Sequence, residues 1–155
     1  MEKMEIAVVD LARKALVGMV HKRQELNHHG GIAVMFGQKT LVDELRSGKI
    51  TDVLFQPVFE VDQIMRSSSK DPNVFHNFPM TAAGKLWQMV RTGRPSGPED
   101  VISGEPEWEG GVITEWGDFY VFFSFSGGPP EEDVKIAQAG IATLPDYHAW
   151  VAALG

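Results

Sequence analysis

The sequence predicts an α+β fold, an antiparallel sheet with helices packed against it. Three observations carry this. The elements run helix, strand, helices, hairpin, helix, an order that suits helices laid onto an antiparallel sheet. Two apolar runs, Val112–Trp116 and Phe119–Ser126, are separated by Gly117-Asp118, a two-residue loop of hairpin type. The second run is apolar on both faces, with Phe119, Val121, Phe123 and Phe125 on one and Tyr120 and Phe122 on the other. A strand of that kind is central and covered on both sides.

From the N-terminus, Met4 to Leu26 is expected to be a helix, with Val9, Ala12, Leu16, Met19 and Val20 as its apolar face. Lys22 and Arg23 suit the negative end of its macrodipole, and Gly30-Gly31 are expected to end it. Ile32–Phe36, bounded by glycines, reads as a short buried strand. Thr40 is expected to cap a helix of about two turns that Gly48 stops. Ile50–Gln56 reads as a strand. Pro57 is expected to open a helix with Val58, Val61, Ile64 and Met65 as its stripe, and Ser67–Asn73 to be a loop. Thr81–Arg91 follows as a helix with Ala82, Ala83, Leu86, Trp87 and Val90 inward; Gly93–Glu107 is an irregular connection. After the hairpin, Ser126-Gly127-Gly128-Pro129-Pro130 turns into a helix whose first turn carries Glu131, Glu132 and Asp133. Its buried stripe is Val134, Ala137, Ile141 and Leu144. Gly140 lies mid-helix, where it costs about 1 kcal/mol against alanine, so a close contact is expected there. Pro145 ends this helix, and Asp146–Leu154 adds a last turn or two.

The chain has 155 residues, which predicts one domain spanning 1–155 with a full core. Its formal charge is −7 and its pI 5.2, against a nucleic-acid partner, which needs clustered Lys and Arg. Cysteine is absent, so disulfides, thiolate metal sites and a cysteine nucleophile are excluded. No apolar run reaches 18 residues and no leader is visible, so the expected location is the cytoplasm, with no membrane partner.

Glu109-Gly110-Gly111-Val112-Ile113, the hairpin, Ser126-Gly127-Gly128-Pro129-Pro130-Glu131-Glu132-Asp133 and Ala137-Gln138-Ala139-Gly140 together resemble the GlcG/HbpS family, over residues 108–144. The resemblance implies a profilin-like α/β/α sandwich around an antiparallel sheet, homo-oligomers, and a binding or accessory role. It makes haem, or another apolar small ligand, the candidate cargo. Residues 38–107 depart from the family: they carry no R-M-D motif, and Thr81-Ala82-Ala83-Gly84-Lys85 is only a loose echo of its helix motif.

The candidate ligand-binding residues are His76, Glu109, Ser126, Gly127, Gly128 and Asp133; no metal site is expected, and catalytic residues are unassigned. His76, between Phe75 and Phe78, is the best candidate for an axial ligand or a pocket base, because an imidazole among aromatics suits haem, although a loop histidine whose neighbours plug the core is the plainer reading. Ser126-Gly127-Gly128 could cradle an anion through backbone N–H groups, although the acids that follow disfavour phosphate and a tight turn is the plainer reading. His28-His29 reads as a solvated helix terminus, His21 as a surface residue, and His148 as surface or interface. Glu105, Glu107 and Glu109 read as a solvated acidic loop. Seven aromatics fall between Trp108 and Phe125, against 4 Trp, 2 Tyr and 9 Phe in the whole chain, so more than one buried surface must absorb them. Two alternatives stand beside the binding role. One is a metal-independent enzyme with a His/carboxylate pair drawn from His76, Glu109 or Asp133; the other is an assembly scaffold without a ligand.

Overall fold

The computed structural model describes residues 2–48, 56–61, 65–67 and 75–155. The α+β prediction holds. In chain order the elements are α1 (Glu2–Glu25), β1 (Gly31–Gln38), α2 (Lys39–Arg46), β2 (Gln56–Val61), β3 (Met65–Ser67), β4 (Phe75–Asn77), α3 (Phe78–Thr92), β5 (Gly111–Trp116), β6 (Phe119–Ser126), α4 (Pro130–Ile141) and α5 (Tyr147–Ala153). Four strands form one antiparallel sheet in the order β2-β1-β6-β5, and β3 pairs with β4 separately.

The two central strands have no polar face. On one side Ile32, Val34 and Phe36 of β1 join Phe119, Val121, Phe123 and Phe125 of β6 in a core with α1 and α4. On the other, Ala33 and Met35 join Phe122 in a core with α2 and α3. Period-two alternation thus sends successive side chains into two separate cores, and the sheet is covered on both faces.

The first helix follows the predicted span, but its face is turned. Val8, Leu11, Ala12, Ala15, Leu16 and Met19 are buried, whereas Val9 and Val20 are only half-buried. Asn27, in the left-handed region at φ 57, ends this helix in place of the expected glycines. Gly31 instead starts β1, where a Cβ would lie 2.7 Å from Pro79 N. Thr40 does not cap α2; the cap position is Gln38, whose side chain makes no capping bond. Gly48 follows that helix in the left-handed region, as expected.

The helix expected after Pro57 is replaced by strand β2, with Pro57 opposite Met35. β2 is an edge strand, where a residue without an N–H is tolerated. Only Gln56 of the Ile50–Gln56 expectation and Ser67 of the Ser67–Asn73 loop lie among the described residues, in β2 and β3. α3 appears as predicted, with Ala82, Leu86 and Val90 inward. Trp87, however, is 49% exposed, and Lys85 and Gln88 are buried in its stead. In α4 the most buried positions are Asp133, Ile136, Ala137 and Gly140. Val134, Ile141 and Leu144 pack at the margin of that core.

Gly140 has the close contact its position implied. A Cβ there would lie 2.4 Å from the ring of Phe123, which is fully buried and cannot retreat. Gly140→Ala is therefore expected to lower stability by about 1–2 kcal/mol, because overpacking outweighs the gain in helix propensity. Urea unfolding of the two proteins checks the sign; a stabilised variant would contradict the packing.

Candidate functional site

The starts of β1 and β5 and the end of β6 lie at the same end of the sheet, because Gly31 and Ser126 are paired and Gly111 pairs with Ser124. This end carries the Gly-Gly pairs of the sequence. Between them lies a buried ion pair. Lys85, fully buried on α3, donates from Nζ to Phe125 O at 2.7 Å and sits 3.5 Å from Asp133 Oδ2. Asp133, in the first turns of α4, accepts from Gly128 N–H through Oδ1 at 2.9 Å, and Gly127 N–H also faces it. The Ser126-Gly127-Gly128 turn thus does supply N–H groups to an anion, but the anion is the chain's own carboxylate. Above the pair runs Gly110, at φ +122. A Cβ on it would stand 2.7 Å from Lys85 Nζ, from Asp133 Cβ and from Phe125 O. Only glycine fits both that backbone and that space.

Burial dominates the electrostatics of the pair. It lifts the Asp133 carboxyl from an ordinary 3.8 to about 7, although Lys85 and the turn N–H groups pull the other way. It lowers the Lys85 ammonium from 10.5 to about 8, against the attraction of Asp133. Both groups therefore exchange protons near neutrality. Neither is open to solvent: the Lys85 side chain is 0% exposed and that of Asp133 5%.

His28 joins this end of the fold. A Cβ on Gly128 would lie 3.2 Å from His28 Cγ, and His28 Nε2 stands 3.4 Å from Glu132 Oε2. Neither of these two buried atoms completes a hydrogen bond. The expected solvated terminus is thus corrected for His28, whose side chain is 21% exposed, while His29 is exposed. His76 stands on β4 opposite Arg66, two residues before α3. His21 and His148 are exposed.

The three alternating glutamates do not converge. Glu105 is held by Arg91, with 2.7 and 2.8 Å contacts that keep its carboxyl below the usual range. Glu107 is exposed, and Glu109 lines a cleft of about 460 Å³. The cleft lies between residues 94–99, α3, the start of β5, and α4. Among the described residues no group of three or more His, Cys, Asp or Glu could hold a metal ion.

Lys85 and Gln88 were missed from sequence. Lys85 follows Ala82 by three positions and precedes Met89 by four, so helical spacing alone put it on the buried stripe. A cation there required a buried partner.

No family model matches the chain, and no curated protein matches it. Among solved structures, that of a PduOC–haem complex is similar to this chain, with a TM-score of 0.50 and 17% identity over 87% of this chain and 92% of that one. The likeness shows a shared fold. Among the described residues no His, Met or Tyr lines the cleft to serve as an axial ligand for an iron porphyrin. His76, on β4, has the right donor chemistry.

Removing one partner leaves the other buried alone, so Lys85→Met is expected to cost about 3 kcal/mol or more. The pair also sets a pH dependence. Asp133 has a raised folded pKa, so its contribution is present below 3.8 and is lost as pH rises to about 7. Lys85 has a lowered one, so its contribution is present above 10.5 and is lost as pH falls to about 8. The pair's contribution should therefore be smallest between these values. Urea midpoints measured across the range should show a dip that the Lys85→Met/Asp133→Asn double variant flattens; an unchanged dip would assign it to other groups.

Proposed function

We propose that this protein is a small-ligand-binding or accessory protein whose ligand is haem or a comparable planar apolar molecule, with His76 as the axial ligand. The observation that carries the reading is the fold shared, over nearly the whole of both chains, with a protein whose structure was solved as a haem complex. Donor chemistry supports His76: the chain has no cysteine, so thiolate ligation is closed, and an imidazole flanked by Phe75 and Phe78 in sequence suits an apolar macrocycle. When bound, haem would supply a redox-active iron; the chain's own task would be to supply the imidazole and an apolar surround.

A binding role is further supported by the state of the titratable pair. Lys85 and Asp133 have pKa values suited to proton transfer, yet both are closed off and bonded to one another and to backbone. General acid–base work requires a group within reach of the reacting proton. The family resemblance also carries homo-oligomers into the reading.

Titration with haem should give a saturable Soret shift, weakened roughly tenfold or more by His76→Ala. His28→Ala serves as the comparison, because among the described residues the buried Nε2 of His28 lacks a hydrogen bond. A shift lost in His28→Ala and kept in His76→Ala would reassign the ligand, and no shift at micromolar haem would remove haem from the reading. Light scattering tests the assembly, with a monomeric mass counting against it.

A further inference from the structure

We infer that the cleft beneath residues 94–99 is a second binding site, for a small organic cation carrying several N–H donors, of the polyamine or guanidinium class. The cleft, at about 460 Å³, is within the roughly 300–1,000 Å³ of small-molecule sites. Its wall is held in place before any ligand arrives. Ser96 Oγ accepts from Gly111 N–H at 2.8 Å, and Ser96 N–H donates to Gly111 O at 3.3 Å, so the loop is pinned to the start of the edge strand β5. Arg91 holds Glu105 further along the same connection. A preformed wall spares the ordering cost of binding.

The wall asks for donors. Gln88 is 1% exposed, and its Nε2 donates to Gly97 O at 3.1 Å. A carbonyl oxygen can only accept, so this contact fixes which way the amide is turned. The other end of the amide, Oε1, is buried and accepts no hydrogen bond. A buried acceptor without a donor is unfavourable, and a ligand N–H relieves it.

The charges point the same way. Three charged residues line the cleft: Arg94, Glu99 and Glu109. Arg94 is engaged by Asp100, which cancels it. Glu99 and Glu109 are exposed, and no ion pair is formed by either among the described residues. The cleft is therefore net negative on a chain of formal charge −7, a field that draws cations. Val112 and Val134 in the wall suit the methylene stem of such a ligand. The site is argued separately from the haem reading, since among the described residues no His, Met or Tyr lines it.

The test is a titration of the ¹⁵N-labelled full chain, followed by amide spectra, with spermidine and agmatine as cationic probes and glutarate as a dianion of similar length. The expected result is saturable shifts for both cations at the Gly97 and Gly111 amides and at the Gln88 side-chain amide. Glu109→Gln, at an exposed position where folding is not at stake, should weaken binding roughly tenfold, since it removes a charge-assisted hydrogen bond. Gln88→Leu should weaken it too, read on protein whose unaltered far-ultraviolet dichroism shows it folded. The inference is overturned by the absence of saturable shifts at millimolar spermidine and agmatine, by glutarate binding equally well, or by undiminished binding in Glu109→Gln.

Discussion

Strands β1 and β6 lie side by side, and neither has a face to give to water. From Ile32 to Phe36 and from Phe119 to Phe125 the side chains on both sides are apolar or aromatic except Ser124, whose buried hydroxyl donates to Ala82 O, and most are fully buried. Such a pair is stable only between two layers, and the rest of the chain supplies them: α1 and α4 on one face, α2 and α3 on the other. The edge strands β2 and β5 complete the sheet. At about 25 cal/mol per Å² of apolar surface removed from water, these two strands and the helices that cover them dominate the favourable side of folding.

The two ends of the sheet are closed by different chemistry. At the hairpin end the closure is aromatic. The Trp116 ring packs edge-on against Tyr147 at 5.0 Å and near Trp150 at 4.9 Å; its indole N–H donates to Pro145 O, and Tyr147 OH meets Asp118. At the glycine-rich end the closure is ionic, with Lys85 and Asp133 joining helices from opposite faces of the sheet. Aromatic packing tolerates small slips, whereas separating a buried charge pair leaves each group uncompensated, so displacement of the layers is costlier at the ionic end. The C-terminus of α3 is tied in similarly, by Arg46, which donates to the carbonyls of Met89 and Val90 while stacking over Tyr120.

Much of this was legible in the sequence where a local signal and the global fold agreed. The hairpin, the two-faced strand, the proline-led helix after Gly127-Gly128 and the contact at Gly140 each rest on a pattern a few residues long. Pro57 was misleading because a helix start and an edge strand both accept proline, and only the neighbouring strand decides between them. His28 was misjudged for a related reason: its burial comes from Gly128 and Glu132, a hundred residues away in sequence. Of the candidate site, Asp133 and the glycine turn were visible, but their partner Lys85 was not, since a lysine on an apolar stripe is informative only if its periodicity is weighed above its charge. The cleft was out of reach, because its walls come from an irregular loop and two helices that approach only in the folded chain.

Gly110 shows how such a fold can persist through sequence drift. Most core positions can exchange one apolar residue for another if volume is kept. At Gly110 the requirement is for the absence of a side chain, imposed at once by a lysine, an aspartate and a backbone carbonyl from three separate elements. An absence cannot be compensated by a substitution elsewhere without dismantling all three. A core whose other residues drift is in this way still held to leave the space at Gly110 empty.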